Sequence, residues 1–121
     1  MVDLATKRIG KIFASENIAF TTVDGMYFYK NSLLAIQNGF NPQRVVRFFL
    51  NKKFDRIERY EIVAANHPHF NEPTLGVLVK NTFYYVANSQ WGSFNKDKTI
   101  FPLEKLQEPI ILQTQLERKK N

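Results

Sequence analysis

The residues able to do chemistry lie in four short polar stretches. Asp24 stands directly before Gly25. A carboxylate at the entry to a strand can ligate a divalent cation such as Ca or Zn, or bind a hydroxyl group. It can equally hold an Asp-Gly turn by accepting backbone hydrogen bonds. Asn38 and Asn88 sit fifty positions apart. As rim residues they could meet a ligand, and as repeated residues they could cap two strand ends. Asn66, His67, His69 and Glu72 share one loop, Asn66 to Pro73. Two His at a spacing of two fall on one side of an extended segment. With Glu72 they would begin a metal ligand set, and otherwise they are ordinary loop residues. Gln90 and Trp91 come shortly after Asn88, and the indole could stack on a ligand or close its own loop by packing.

Other chemistries are excluded by residue type. The chain has no Cys, so thiol catalysis, thiolate metal sites and disulfides are absent. No Gly-rich phosphate loop, Gly-x-Ser-x-Gly elbow or zincin helix occurs, and no catalytic residue is assigned.

The elements that would position these residues come from a repeat. Phe28 to Asn38 aligns with Leu78 to Asn88: apolar run, Lys-Asn-hydroxyl turn, apolar run, Asn. That pattern is a β-hairpin repeated at the period of a propeller blade. A fainter echo relates Arg8-Ile9-Gly10-Lys11 to Arg56-Ile57-Glu58-Arg59. The expected fold is all-β, with four-stranded antiparallel blade-like sheets forming a partial propeller. Residues 1–22 are expected to hold the last strand of a preceding blade and a connector, 23–65 a complete blade, and 66–121 a final incomplete one. Strands are expected at Lys7–Ala14, Gly25–Tyr29, Ser32–Gln37, Arg44–Leu50, Arg56–Ala64, Thr74–Val79, Thr82–Ala87 and Pro109–Leu116, with one helical turn at Pro102–Gln107. Strand alternation sends the loops holding Asp24, Asn38, Asn66 to Pro73 and Asn88 to Lys98 to one edge. The short turns go to the other.

These segments carry a family resemblance. Val23-Asp24-Gly25-Met26, then Asn31 to Gly39, then Arg44-Val45-Val46-Arg47-Phe48, resembles one blade of the senescence-marker-protein/gluconolactonase family. Glu72-Pro73-Thr74-Leu75-Gly76 with Tyr84 to Trp91 looks like the last blade of bacterial propellers grouped with it. The resemblance implies a six-bladed propeller, a small-molecule ligand in its channel, and a divalent cation held by Asp24 with a Glu and an Asn from earlier blades. Those partner ligands have no counterpart in this chain. The family's acidic turn is replaced by Tyr29-Lys30-Asn31-Ser32.

Two functions are expected on these grounds. One is the C-terminal part of a propeller that binds a small molecule and, when complete, hydrolyses a lactone or ester with a metal. The other is a non-enzymatic interaction module, completed by self-association or by missing blades docking on exposed strand edges. Nucleic acid is disfavoured. The net charge is +6, but the Lys and Arg residues are scattered instead of gathered on one face. The basic run Arg118-Lys119-Lys120 reads as a frayed end. No stretch reaches the roughly 20 apolar residues of a membrane span. Met1 to Lys7 lacks the apolar core of a signal peptide.

Overall fold

The computed structural model describes residues 1–117, and the basic run at 118–120 lies outside them. The chain is all-β. Its strands are β1 (Phe13–Ala14), β2 (Gly25–Tyr29), β3 (Ser32–Gln37), β4 (Arg44–Leu50), β5 (Arg56–Ala65), β6 (Gly76–Val79), β7 (Thr82–Val86) and β8 (Ile111–Gln115). A short 3-10 turn, Leu103–Lys105, follows Pro102. No helix of the described residues is long and apolar enough to cross a membrane.

Two sheets form, in the orders β1-β5-β4-β3-β2 and β6-β7-β8. The hairpins that begin them share a left-handed Lys at the first turn position. Lys30 and Asn31 take φ of 41° and 55°, and Lys80 takes 55°. The first turn, with both residues left-handed, matches the twist of the strands it joins. The repeat then holds through the ladders: Met26 pairs with Ala35 as Gly76 pairs with Tyr85, and Tyr27 with Leu34 as Val77 with Tyr84. It continues beyond the strands, where Asp24 N–H bonds Ile36 O at 2.9 Å and Thr74 N–H bonds Val86 O at 3.0 Å.

The middle of the first sheet is covered on both faces, which is why all six residues of β3 are buried. One face carries Leu33, Ala35, Val46, Phe48, Leu50 and Ile57, packed under Ile12, Ala14, Ile18 and Phe20 of the N-terminal segment. The other carries Tyr29, Leu34, Ile36 and Val45, packed against Phe83, Tyr85, Leu78 and Leu112 of the second sheet. Tyr27 and Phe83 meet at 5.1 Å between ring centres. The Tyr29 hydroxyl donates to Asn81 Oδ1 at 2.8 Å, tying one hairpin to the next.

The N-terminal expectation needs correction. In place of a strand over Lys7–Ala14 there are two residues, Phe13–Ala14, and they run parallel to β5 in the first sheet. That sheet is therefore five-stranded and mixed, not a four-stranded antiparallel blade. The physical reason is local. Residues 1–10 close on themselves: Asp3 Oδ1 accepts from the N–H groups of Ala5 and Thr6, and Val2 bridges Ile9. The succeeding residues are then free to lie across the apolar face and cover it.

Candidate functional site

The four polar stretches do converge on one edge. Gln37 sits at the end of β3 with its side chain buried, and its amide donates to the carbonyls of Ala19 and Thr21 at 2.9 and 2.8 Å. Arg44 Nε returns a bond to Gln37 Oε1 at 2.8 Å and stacks over Phe40. From this frame the loops are laced together. Gln43 Nε2 donates to Asn38 O at 3.2 Å, Glu72 N–H donates to Gln43 Oε1 at 3.1 Å, and Asn66 N–H donates to Gln43 O at 3.0 Å.

Asp24 stands at the centre of this edge, exposed. Its Oδ2 accepts from Asn38 Nδ2 at 3.1 Å and from the Thr74 hydroxyl. Both neighbours turn a donor toward it. Among the described residues no three His, Asp or Glu side chains converge on a point that could hold a metal. A Ca ion takes six to eight oxygens, and a Zn site takes about four N, S or O ligands. One carboxylate facing an N–H and an O–H does not fit either ion within this chain.

The remaining predicted residues divide. Glu72 Oε2 accepts the Gly92 N–H at 2.9 Å, and its carbonyl accepts the Ser89 hydroxyl at 2.6 Å. His67 Nδ1 accepts the His69 N–H at 3.2 Å, and the two rings lie 5.4 Å apart. Asn66, His67 and Phe70, with Phe40 to Gln43, line an open cavity of about 330 Å³. Asn88 is buried and works on the backbone: Nδ2 donates to Glu108 O at 2.9 Å, and Oδ1 accepts the Ile110 N–H at 2.7 Å. Gln90 does the same with Gln107, through bonds of 2.8 and 2.9 Å. These two side chains guide the chain into β8. Asn38 and Asn88 thus hold equivalent positions but different jobs, because an insertion comes after only the second. Trp91 stacks on Phe94 and stays exposed. In the same loop, the hydroxyl and N–H of Thr99 hold the Asp97 carboxyl below its ordinary range.

The polar groups of this edge are therefore largely spent on one another. A different surface is unspent. Residues paired directly across an antiparallel ladder share a face. Leu75, Val77 and Val79, then Thr82, Tyr84 and Val86, then Ile111, Gln113 and Gln115, all lie on the outer face of the second sheet. On this face Leu75, Val77, Val79 and Ile111 are 60%, 55%, 51% and 58% exposed. With Tyr84 and Val86, three of them line a shallow apolar cavity of about 260 Å³. By the repeat, these positions match Gly25, Tyr27, Tyr29, Leu34, Ile36 and Val45 of the first sheet, where the second sheet docks.

Sequence reading placed the polar rim and missed this face. The signal was present in Leu75-Gly76-Val77-Leu78-Val79, which is apolar on both sides of the strand. An unbroken apolar run marks a strand covered on both faces. No family model, curated protein or solved structure matches this chain.

Proposed function

We propose that the chain is a non-enzymatic interaction module, built of successive propeller-like sheet units, that docks a further β-sheet on the outer face of its second sheet. One observation carries this reading. The exposed apolar residues of the second sheet occupy the positions that the first sheet buries against its successor. An apolar face of this kind on a sheet marks an interaction surface. The occupant that matches it is a sheet presenting aromatic and aliphatic residues in the manner of Leu78, Phe83, Tyr85 and Leu112.

The repeat also argues against a simple pairing of first and second sheets from two copies. The middle of the first-sheet face that would have to meet Leu75 and Val77 is already covered by Ile12, Ile18 and Phe20. The fitting partner is a distinct sheet. At high concentration a second copy will still use the open face weakly, and this makes the reading testable without the partner. Chemical-shift changes on raising protein concentration should be confined to Leu75, Val77, Tyr84, Val86 and Ile111. Shifts confined to the loop edge around Asp24 and His67 would instead place the binding surface there and overturn the reading.

A small-molecule reading rests on the cavity beside His67 and Phe70. It is open and shallow, and its Gln43 is already bonded to Asn38 and Glu72.

A further inference from the structure

The hydrogen bonds around Asp24 depend on an amide that is chemically labile. Asn38 Nδ2 donates to Asp24 Oδ2 at 3.1 Å, and the Thr74 hydroxyl donates to the same oxygen. That oxygen joins three segments: the entry to β2, the exit from β3 and the entry to β6. Asn38 is followed by Gly39, in the single Asn-Gly pair of the chain.

An Asn side chain deamidates when the backbone nitrogen of the next residue attacks its amide carbon. The attack needs an unbonded N–H, and it is least hindered where the next residue has no Cβ. Both conditions meet here. Gly39 is exposed, and among the described residues its N–H has no acceptor. The Asn38 carbonyl accepts from Gln43 Nε2 at 3.2 Å, which polarises the peptide between Asn38 and Gly39 and eases loss of the Gly39 proton. The glycine is also required by packing. A Cβ at this position would lie 2.8 Å from Cβ of Thr22. The close approach that demands glycine therefore supplies the unhindered nucleophile.

Other Asn residues lack this combination. Asn88, the equivalent by repeat, is buried with both amide atoms bonded, and the next N–H, of Ser89, donates to Glu72 O at 3.3 Å. Asn81 is held by the Tyr29 hydroxyl on Oδ1 and by Glu117 on Nδ2. Asn51 bonds Asp55 through both of its amide atoms. Asn41 precedes Pro42, which has no N–H.

We propose that Asn38 is a modification site, hydrolysed to aspartate and isoaspartate. The Gly39 nitrogen bonds to Cγ of Asn38 as the Cγ–Nδ2 bond breaks, closing a cyclic imide. The proton lost by the Gly39 nitrogen leaves with Nδ2 as ammonia. Water then opens the imide at either of its carbonyls. In sum, amide and water become carboxylate and ammonium. The product sets a second carboxylate where Asp24 had a donor, and like charges at that distance repel. The isoaspartate form also lengthens the main chain where Gly39 packs on Thr22. The exit of β3 is thereby released from Asp24, and the loop edge loosens with the age of the molecule. The inference is independent of docking at Leu75 and Val77.

The test keeps the full wild-type chain in warm, mildly alkaline buffer and maps its peptides by mass spectrometry. Conversion at Asn38 should run at least about tenfold faster than at Asn81 or Asn88, and should yield both acid isomers. An Asn38 that stays intact, or equal rates at the three positions, overturns the assignment. The consequence is read in melting temperatures. Asn38→Ala only removes a donor, whereas Asn38→Asp adds a facing charge, so the second should melt lower than the first. Asp24→Asn combined with Asn38→Asp restores a carboxylate–amide pair and should recover most of the loss. Equal melting of the two single variants, or no recovery in the combined one, would show that a carboxylate at this position leaves Asp24 undisturbed and would overturn the proposed effect.

Discussion

Leu50 and Leu116 make the same bond in successive units. Each donates its backbone N–H to the carbonyl of the Asn that closes a hairpin, Leu50 to Asn31 and Leu116 to Asn81, both at 2.9 Å. The hairpins are fifty residues apart and the leucines sixty-six, so the ladder reproduces itself across an insertion. Beyond that bond the two units diverge. Leu50 is paired with Ile57 on the next strand, whereas among the described residues no strand pairs with the outer side of the strand leading to Leu116.

The two sheets should unfold together. Phe83 is fully buried, stacks on Tyr85 at 5.3 Å and meets Tyr27 across the sheet interface. Phe83→Ala should cost about 3–5 kcal/mol, the range for losing a buried aromatic ring. Urea denaturation should show one transition moved to lower urea. Two separated transitions would mean that the sheets are independent.

Gly76→Ala should also destabilise, for a steric reason. A Cβ there would lie 2.4 Å from the carbonyl oxygen of Tyr84, and backbone cannot swing aside as a side-chain tip can. Gly76 N–H also donates to the Tyr27 hydroxyl at 2.7 Å, so displacing the strand strains an inter-sheet bond. The expected loss is about 1–3 kcal/mol. A melting temperature equal to that of the wild type would contradict the close approach.

Lys30 and Glu117 form an exposed ion pair at the short-turn edge. The hydrogen bond from Lys30 holds the Glu117 carboxyl below its ordinary 4.5, and the same bond raises Lys30 above 10.5. The carboxylate contribution is therefore complete above pH 4.5 and fades as pH falls through the lower folded value. The ammonium contribution is complete below pH 10.5 and fades as pH rises through the higher folded one. The melting-temperature gap between wild type and Glu117→Gln should be widest between these limits, and should shrink in molar salt. A gap that is flat with pH would refute the pairing.

Asp24 is predicted to act as a structural acceptor. Asp24→Ala frees the amide of Asn38 and the hydroxyl of Thr74. These groups are near solvent, so the loss should be modest, about 0.5–1.5 kcal/mol. It should be the same with added Ca, added Zn or a chelator. A wild-type melting temperature that rises with either ion, and a rise that vanishes in Asp24→Ala, would restore the metal reading.

Much of the fold was legible because its signals are local. The Lys-Asn turns and the flanking apolar runs place β2, β3 and β4 at their observed bounds, and β5 within one residue. The convergence of the polar loops came from strand alternation alone. Two things were not local. The lie of Phe13–Ala14 along β5 is a parallel, long-range pairing, and the similarity of Arg8-Ile9 to Arg56-Ile57 concealed a self-closed turn held by Asp3. The tasks of Asn88 and Gln90 depend on where Ile110 and Gln107 return, and an insertion hides that from any spacing rule. Nor does residue type show which side of Leu75-Gly76-Val77-Leu78-Val79 is left uncovered. That appears only when the inner face is seen to be occupied by the first sheet.

The outer face of the second sheet is proposed as a docking surface. Sedimentation of wild type and of the Leu75→Lys/Val77→Lys chain, from micromolar to millimolar concentration, decides it. The wild-type mass should climb above 14.2 kDa with concentration while the double variant stays at 14.2 kDa with an unchanged circular dichroism spectrum. A wild type that remains at 14.2 kDa throughout, or a double variant that associates equally well, would contradict it.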